Sequence, residues 1–461
     1  MTLGVFQAYD RGLICEVETD SEQDLEQKLA RAAVAFKDRA GWLKPYERIA
    51  VLERLVPLLD AERDTFAVLI AREGGKPLVD AKVEATRAVD GVRNAIDELR
   101  NFAGQEIPMG LTAASAGRWA FTTREPIGVV AAISAFNHPL NLIVHQVVPA
   151  IATGCPVLIK PASATPLCCI EFVKLVRQAG LPEAWCDTII TAETRLSEKL
   201  ATDPRVAFLS FIGSARVGWS LRSKLAPGTR CALEHGGSAP LLVDRAVDLD
   251  AIIEPIVKGG YYHAGQVCVS TQRIFVHEQV HDAFVERLTQ RVAALRVGDP
   301  RSGDTEVGPL ILPKEVERVA SWVEEAAQSG ARITTGGKRT GETTYAPTVL
   351  VGPPASAKVS REEVFGPVTR VYRFAELGQA IEQANSLPLS FQASVFSNDL
   401  SVALRAAEQL EASAVMINDH TAFRVDWMPF AGRKQSGYGI GGIGSTMHEL
   451  TQHKMIVFRR T

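Results

Sequence analysis

Apolar residues recur at three- and four-residue spacing, with charged residues between them, over residues 21–38, 45–73 and 79–102. That period is helical, so the first hundred residues read mostly as amphipathic helices. The pattern changes near Pro126. Gly128-Val129-Val130-Ala131-Ala132-Ile133 is a short apolar run fit for a buried strand. From there strands and helices alternate. A helix is expected over 139–152, a strand over 156–160, and a helix over 166–178 with Gly180 as its C-cap. A strand over 187–190, a helix over 195–201, a strand over 206–212 and a helix over 214–224 follow. Such alternation implies right-handed crossovers and a parallel sheet. Sheets of this kind hold ligands beyond the carboxyl ends of their strands. Asn137, Lys160, Gly213 and Glu234 all fall at or just after strand ends.

A second series begins near Pro240, with strands expected over 240–243, 273–276, 368–374, 392–396 and 414–417. Helices are expected over 249–262, 280–295, 314–328, 377–385 and 400–410. This reads as a second α/β lobe. The last residues, 454–460, form a terminal strand that needs an edge to pair with. No internal repeat or low-complexity segment interrupts the two series.

Composition narrows the picture. A chain of 461 residues with 46% hydrophobic residues is too long for one simple core, so two large lobes or more are expected. A formal net charge of −3 and the lack of a long Lys/Arg run argue against nucleic acid as a partner. The seven cysteines, Cys15, Cys155, Cys168, Cys169, Cys186, Cys231 and Cys268, are odd in number and irregularly spaced. They fit a reducing cytoplasm better than a disulfide framework. No secretory pattern opens the chain, and Pro, Gly, His or charge breaks each apolar stretch before it could span a bilayer. A soluble cytoplasmic protein without a membrane partner is expected.

Two motifs mislead. His277-Glu278-Gln279-Val280-His281 matches the zinc-protease string, which works only when both histidines share one helix. Here His277 ends an apolar strand and Glu278 starts the next helix, so the histidines diverge and no metal is expected. Gly437-Tyr438-Gly439-Ile440-Gly441-Gly442 matches G-x-G-x-x-G. It follows a polar turn rather than a strand, so it reads as a close-packed loop instead of a dinucleotide fingerprint.

Chemistry centres on Cys268, in Gly265-Gln266-Val267-Cys268-Val269-Ser270, and on Glu234, in Leu233-Glu234-His235-Gly236-Gly237-Ser238. A thiol and a carboxylate on neighbouring segments suit covalent catalysis, in which one attacks and the other activates water. Further segments accompany them: Phe136-Asn137-His138-Pro139-Leu140-Asn141, Ile159-Lys160-Pro161-Ala162-Ser163, Phe211-Ile212-Gly213-Ser214, Glu362-Glu363-Val364-Phe365-Gly366-Pro367 and Met428-Pro429-Phe430-Ala431-Gly432. In order and spacing these closely resemble the aldehyde dehydrogenase superfamily over nearly the whole chain.

The resemblance implies an α/β fold of two doubly wound parallel-sheet lobes plus a small β bridging or oligomerisation element. Residues 1–104 and 126–236 would form the Rossmann-like NAD(P)-binding domain, 237–436 the catalytic domain, and 105–125 with 437–461 the bridge. It implies Cys268 as nucleophile, with Asn137 and the Cys268 N–H as oxyanion donors. Glu234 would be the base that activates hydrolytic water. Lys160 and Ser163 would meet the adenosine ribose or its phosphate. Gly213 and Ser214 would open a helix toward the pyrophosphate. Glu363 would hold the nicotinamide ribose, and Phe365 would pack beside the ring.

Many NAD-dependent members carry Glu where this chain has Ser163. A carboxylate repels a 2′-phosphate, so NADP is favoured over NAD. The shortened stretch Ala192-Glu193-Thr194-Arg195 departs from the family at a loop near the pyrophosphate.

The aldehyde tunnel would include His138, Leu142, His145, Val267, Val269, Arg424 and Phe430. Position 145 is one where members acting on carboxylated aldehydes can carry Arg. A guanidinium at Arg424 suits a carboxylate or phosphonate, or else pairs with Asp426 or a surface carboxylate. The substrate expectation is a short polar or anionic aldehyde, oxidised to its acid. The alternatives are a coenzyme A-acylating semialdehyde dehydrogenase, which generally lacks the base, and a silent structural member of the fold. Assembly as a homodimer or homotetramer through strand 454–460 is implied.

Overall fold

The computed structural model describes residues 1–459, so the last residue of the expected terminal strand, Arg460, lies outside the described residues. Two large sheets dominate. The first runs in the order Gly437–Tyr438, Arg230–Glu234, Val206–Ile212, Val129–Ile133, Val157–Lys160, Cys186–Thr188. Its last five strands are mutually parallel. The chain enters at Val129–Ile133, winds outward to Cys186–Thr188, then returns to the other side at Val206–Ile212. The strand order therefore reverses between Val129–Ile133 and Val206–Ile212, the position where doubly wound sheets open a crevice. Asn137 and Gly213 follow those two strands.

The second sheet has seven strands in the order Arg332–Thr335, Thr348–Val351, Val368–Phe374, Thr271–His277, Ala239–Val243, Gln392–Phe396, Ala414–Ile417. Only Arg332–Thr335 runs antiparallel to its neighbour. A three-stranded antiparallel sheet pairs Thr451–Arg459 with Arg118–Pro126, and the latter with Glu106–Ile107. None of the described helices is long and apolar enough to cross a membrane.

The first sheet is covered on one face by the helices Pro45–Ala61, Leu78–Arg100, Asn141–Thr153 and Leu167–Gln178, which share one apolar core with it. Two of these helices begin without a side-chain cap of their own. Buried glutamates from elsewhere supply the acceptors instead. Glu73 takes the N–H groups of Leu167 and Cys168 at 2.8 and 2.9 Å. Glu84 takes those of Leu140 and Asn141 at 3.0 and 3.1 Å, and pairs with the fully buried Lys76. Orphan helix N–H groups are thus satisfied across the fold rather than locally.

Several elements differ from the sequence expectation. Residues 45–73 form two helices, Pro45–Ala61 and Arg63–Gly74. Ala61, Glu62 and Arg63 are all helix formers, so propensity gave no signal of the break. The hairpin Thr2–Phe6/Leu13–Glu18 and the strands Arg230–Glu234, Arg332–Thr335 and Thr348–Val351 are further elements outside the expected strands, although Thr348–Val351 is a short buried apolar run. Gly437–Tyr438 joins the first sheet, and Ile443–Glu449 packs on the Asn141–Thr153 helix. Residues 437–449 therefore lie with the first sheet and not with the small one.

Candidate active site

Every side chain singled out from the sequence lines one cavity of about 900 Å³. Asn137, His138, Leu142, His145, Lys160, Ser163, Gly213, Ser214 and Glu234 come from the carboxyl side of the first sheet. Val267, Cys268, Val269, Glu363, Phe365, Arg424 and Phe430 come from the second lobe. Cys268 stands just before the strand Thr271–His277, and Glu363 shortly before Val368–Phe374. The second sheet thus offers the amino ends of its strands to the carboxyl ends of the first.

The backbone that presents Cys268 is unusual. His263, Ala264 and Gly265 have φ of 49°, 54° and 70°, a left-handed run that includes two non-glycine residues. Such residues cost roughly 1–3 kcal/mol each and persist only where their surroundings hold them. Gln266 does the holding here. Its side chain donates to the carbonyls of His263 and Pro309 at 3.2 and 3.1 Å and accepts from the Ile311 N–H at 3.0 Å. Its carbonyl also accepts from Asn137 Nδ2 at 2.9 Å. One N–H of the Asn137 amide is therefore fixed, which leaves the second to point at a ligand.

Electrostatics differ between the two reacting groups. Burial pushes the Cys268 thiol up, the charges of Glu234 and Glu363 push it further, and Arg424 opposes them. Burial raises the Glu234 carboxyl to about 7, again against Arg424. That places Glu234 where a general base is most effective at neutral pH. The glycine string helps to seat it. Gly437 pairs with Glu234 across the sheet edge, and any Cβ on Gly441 would overlap the Glu234 carboxylate. Gly441 also exchanges two backbone hydrogen bonds with Phe430, at 2.7 and 2.9 Å. The string is accordingly a scaffold for the base.

At one end of the cavity, Glu363 accepts from the Gly237 N–H at 3.1 Å, and its carboxyl is raised by burial to about 8. A Cβ on Gly236 would overlap this carboxylate. Phe365, with φ of 46°, sets its ring edge-on to Phe136 at 5.9 Å. Burial lowers the Lys160 ammonium to about 8. Ser163 donates its hydroxyl proton to the Thr191 carbonyl at 3.1 Å. The acids among the cavity-lining residues are Glu234, Glu315 and Glu363, and none comes from the segments around Lys160 or Ser214. Arg216, on the first turn of the Ala215–Arg222 helix, lines the same end. Residues 192–195 do not line the cavity. Lys160, Arg216 and the start of a helix fit the anionic pyrophosphate and ribose of a nicotinamide dinucleotide.

The other end is governed by Asp426, which lies behind the wall. Its carboxylate accepts from Arg87 Nε and Nη2 at 3.1 and 2.7 Å, Asn141 Nδ2 at 3.0 Å and His145 Nε2 at 2.8 Å. Burial works against this anion, but the bond from His145 and the charge of Arg87 hold its carboxyl well below the usual range. Asp426 is thus taken by other donors, and Arg424 makes no ion pair with it, contrary to one of the two expectations for that residue. The Arg424 guanidinium instead stacks on Phe430, 3.7 Å from the ring centroid, with Nη1 buried and unpartnered. Burial lowers it to about 10, opposed by Glu234. Apolar groups adjoin it: Val267 and Val269 pack with Phe391 and Phe430. His138 meets the Tyr262 hydroxyl at 3.1 Å, and burial keeps its ring neutral.

The zinc-protease string falls as expected. His277 ends the strand Thr271–His277 and His281 lies inside the helix Glu278–Ala293. Sequence reasoning missed Arg87, Asn141 and Arg216 as cavity residues, and Asp426 as the organiser of Arg87, Asn141 and His145. The i, i+4 spacing of Asn141 and His145 on one helix was the available signal for Asn141. Nothing local marks Asp426, 339 residues from Arg87.

Comparison with known proteins follows this geometry. The model of the aldehyde dehydrogenase family matches residues 2–456. The 3-sulfolactaldehyde dehydrogenase of Priestia aryabhattai is 36% identical over 453 residues, covering 98% of this chain and 94% of that protein. The crystal structure of aldehyde dehydrogenase 21 from Physcomitrella patens, in complex with the reaction product succinate, superposes with a TM-score of 0.97 at 33% identity. That match covers 100% of this chain and 95% of the other. The glyceraldehyde-3-phosphate dehydrogenase GapN of Methanocaldococcus jannaschii, complexed with NADP, gives a TM-score of 0.94 at 32% identity over 99% of each chain.

Proposed function

The chain belongs to the aldehyde dehydrogenase family, and from that premise we propose that it oxidises a short anionic aldehyde to its carboxylic acid with NADP. The observation that carries this reading is the meeting of Cys268, Asn137 and Glu234 with an unpartnered Arg424 in one cavity. Cys268 Sγ, once deprotonated, attacks the aldehyde carbon, since the thiolate is the nucleophile. Glu234 is the base available for that proton. The developing oxyanion takes the free N–H of the Asn137 amide and the Cys268 backbone N–H. Lys160, Ser214, Arg216 and Glu363 would hold a nicotinamide cofactor, which would supply the acceptor for the hydride lost from the substrate carbon as the thioester forms on Cys268. Glu234 then removes a proton from water, which attacks the thioester and frees the acid. A base in this position favours hydrolysis over transfer to coenzyme A.

Arg424 supports an anionic substrate: it is a buried guanidinium without a partner beside the reacting groups, and an anion would satisfy it. The relatives named for 3-sulfolactaldehyde and bound to succinate handle anions of this kind. NADP is favoured by the absence of a carboxylate among cavity residues near Lys160. The Ser163 hydroxyl, already donating to Thr191, contributes by being neutral rather than by holding the phosphate. The bridge sheet carries the proposal of a homodimer or homotetramer. Thr451–Arg459 has no described neighbour on its outer edge and exposes Met455, Val457 and Phe458.

The test follows reduced nicotinamide by absorbance, with NAD and NADP in parallel, on succinic semialdehyde, phosphonoacetaldehyde, hexanal and benzaldehyde. NADP-linked turnover of an anionic aldehyde, lost in Cys268→Ala, is expected. Faster turnover of hexanal and benzaldehyde than of the anions would remove the substrate reading. Light scattering at micromolar concentration checks assembly, and a monomer would contradict it.

A further inference from the structure

We infer that the aldehyde end of the cavity reads a hydroxyl group on the substrate as well as an anion, because Asp426 turns Asn141 and His145 into acceptors. The inference rests on the anionic-aldehyde reading above and deepens it.

The argument starts from what a carboxylate can do. Ionised Asp426 has only acceptor sites, so every group bonded to it must donate. Asn141 must therefore present its NH₂, and its Oδ1 faces away from Asp426. That oxygen is buried and has no hydrogen-bond partner. His145 must present an Nε2–H. Burial keeps its ring neutral against the pull of Asp426, so the remaining nitrogen, Nδ1, carries a lone pair. None of the described residues donates to that nitrogen. Asn141 and His145 are one turn apart on the same helix, and both line the cavity. Asn137 precedes this helix in the chain and lines the same cavity.

The cavity thus offers acceptors on the helix wall, leading away from the oxyanion donor, and an unpartnered donor at Arg424. A ligand that completes both carries a donor on the chain between its aldehyde and its anionic end. A hydroxyl does this. A keto group only accepts, and leaves Asn141 and His145 unpaired. An ammonium donates, but brings a cation toward Arg87 and Arg424. Unpaired buried polar groups are the strongest basis on which a site rejects an analogue lacking one hydroxyl.

Four-carbon dicarboxylates test this as dead-end analogues of the acid product, and they avoid differences in aldehyde hydration. Succinate, malate and oxaloacetate differ at one carbon: no donor, a hydroxyl, a keto group. Each is titrated as an inhibitor of wild-type turnover of an anionic aldehyde. Malate is expected to inhibit about tenfold to a hundredfold more tightly than succinate, the range set by one buried unsatisfied acceptor. Oxaloacetate is expected to be no tighter than succinate. In His145→Leu the ratio of malate to succinate should fall, Asn141 Oδ1 remaining as the second acceptor. Succinate or oxaloacetate binding as tightly as malate in the wild type would overturn the hydroxyl inference and leave the anionic reading standing. Failure of all three to inhibit, with neutral aldehydes oxidised as fast as anionic ones, would remove the anionic reading itself. The decisive comparison uses wild-type protein, so a variant that fails to fold does not blunt it.

Discussion

At one end of the cavity, Lys160, Gly213 and Ser214 stand at the ends of their strands or within two residues past them, half-buried or exposed. At the aldehyde end, one carboxylate, Asp426, collects donors from the Leu78–Arg100 and Asn141–Thr153 helices. The first end is built by topology: a doubly wound sheet opens a crevice wherever its strand order reverses. The second is built by pairing between distant segments, and its polarity depends on which end of each side chain that pairing consumes. A change at the first end should therefore alter cofactor choice alone. A change at the second should alter which aldehydes are accepted, and the chemistry between the two should fail with either cofactor.

The largest expected effect lies between the two ends. Glu234→Gln should lower kcat by about 10²–10⁴-fold, the usual contribution of a positioned general base. The sign with pH follows from a carboxyl raised by burial to about 7. Below that value Glu234 is protonated and cannot accept, so wild-type kcat should climb as pH rises from 6 to 8. The variant should lose this limb, and a limb retained in Glu234→Gln would assign the titration elsewhere. Asn137→Ala should cost about 10²–10³-fold in kcat, as loss of an oxyanion donor does. Cofactor affinity, read by quenching of protein fluorescence, should stay unchanged in both.

Smaller effects separate the ends. Arg424→Met should lower kcat/KM for an anionic aldehyde by about tenfold to a hundredfold, the worth of one charge-assisted hydrogen bond. A neutral aldehyde of the same length should be little affected. An equal loss for both would make Arg424 a packing residue. Ser163→Glu should raise the KM for NADP by about tenfold or less, since one carboxylate opposes a 2′-phosphate in a partly solvated site, while KM for NAD stays level. Equal shifts for both cofactors would break the link between Ser163 and the phosphate.

The same contrast explains what was legible in the sequence. Strands that were fully buried, such as Val129–Ile133, announced themselves as apolar runs, and the residues just past them were placed at a ligand site before any motif was invoked. Arg230–Glu234 alternates exposed and buried residues over only five positions, which left its strand unmarked although its last residue is the base. Cys268 precedes its strand, so the carboxyl-end rule could not find it, and only the recurrence of motifs did. Asp426 was noticed merely as a neighbour of Arg424. Its partners come from segments near residues 87 and 141–145, and no local pattern carries such a pairing. The glycine string 437–442 was read as a close-packed loop, and its contacts beside Glu234 are ones that sequence spacing does not show.

The most direct test of the account is the mass of the enzyme quenched in acid during turnover of an anionic aldehyde with NADP. The account predicts an acyl adduct, two hydrogens lighter than the added aldehyde, on the peptide containing Cys268. It should be absent in Cys268→Ala. Turnover with no adduct under any condition, or an adduct on another of the seven cysteines, would contradict it.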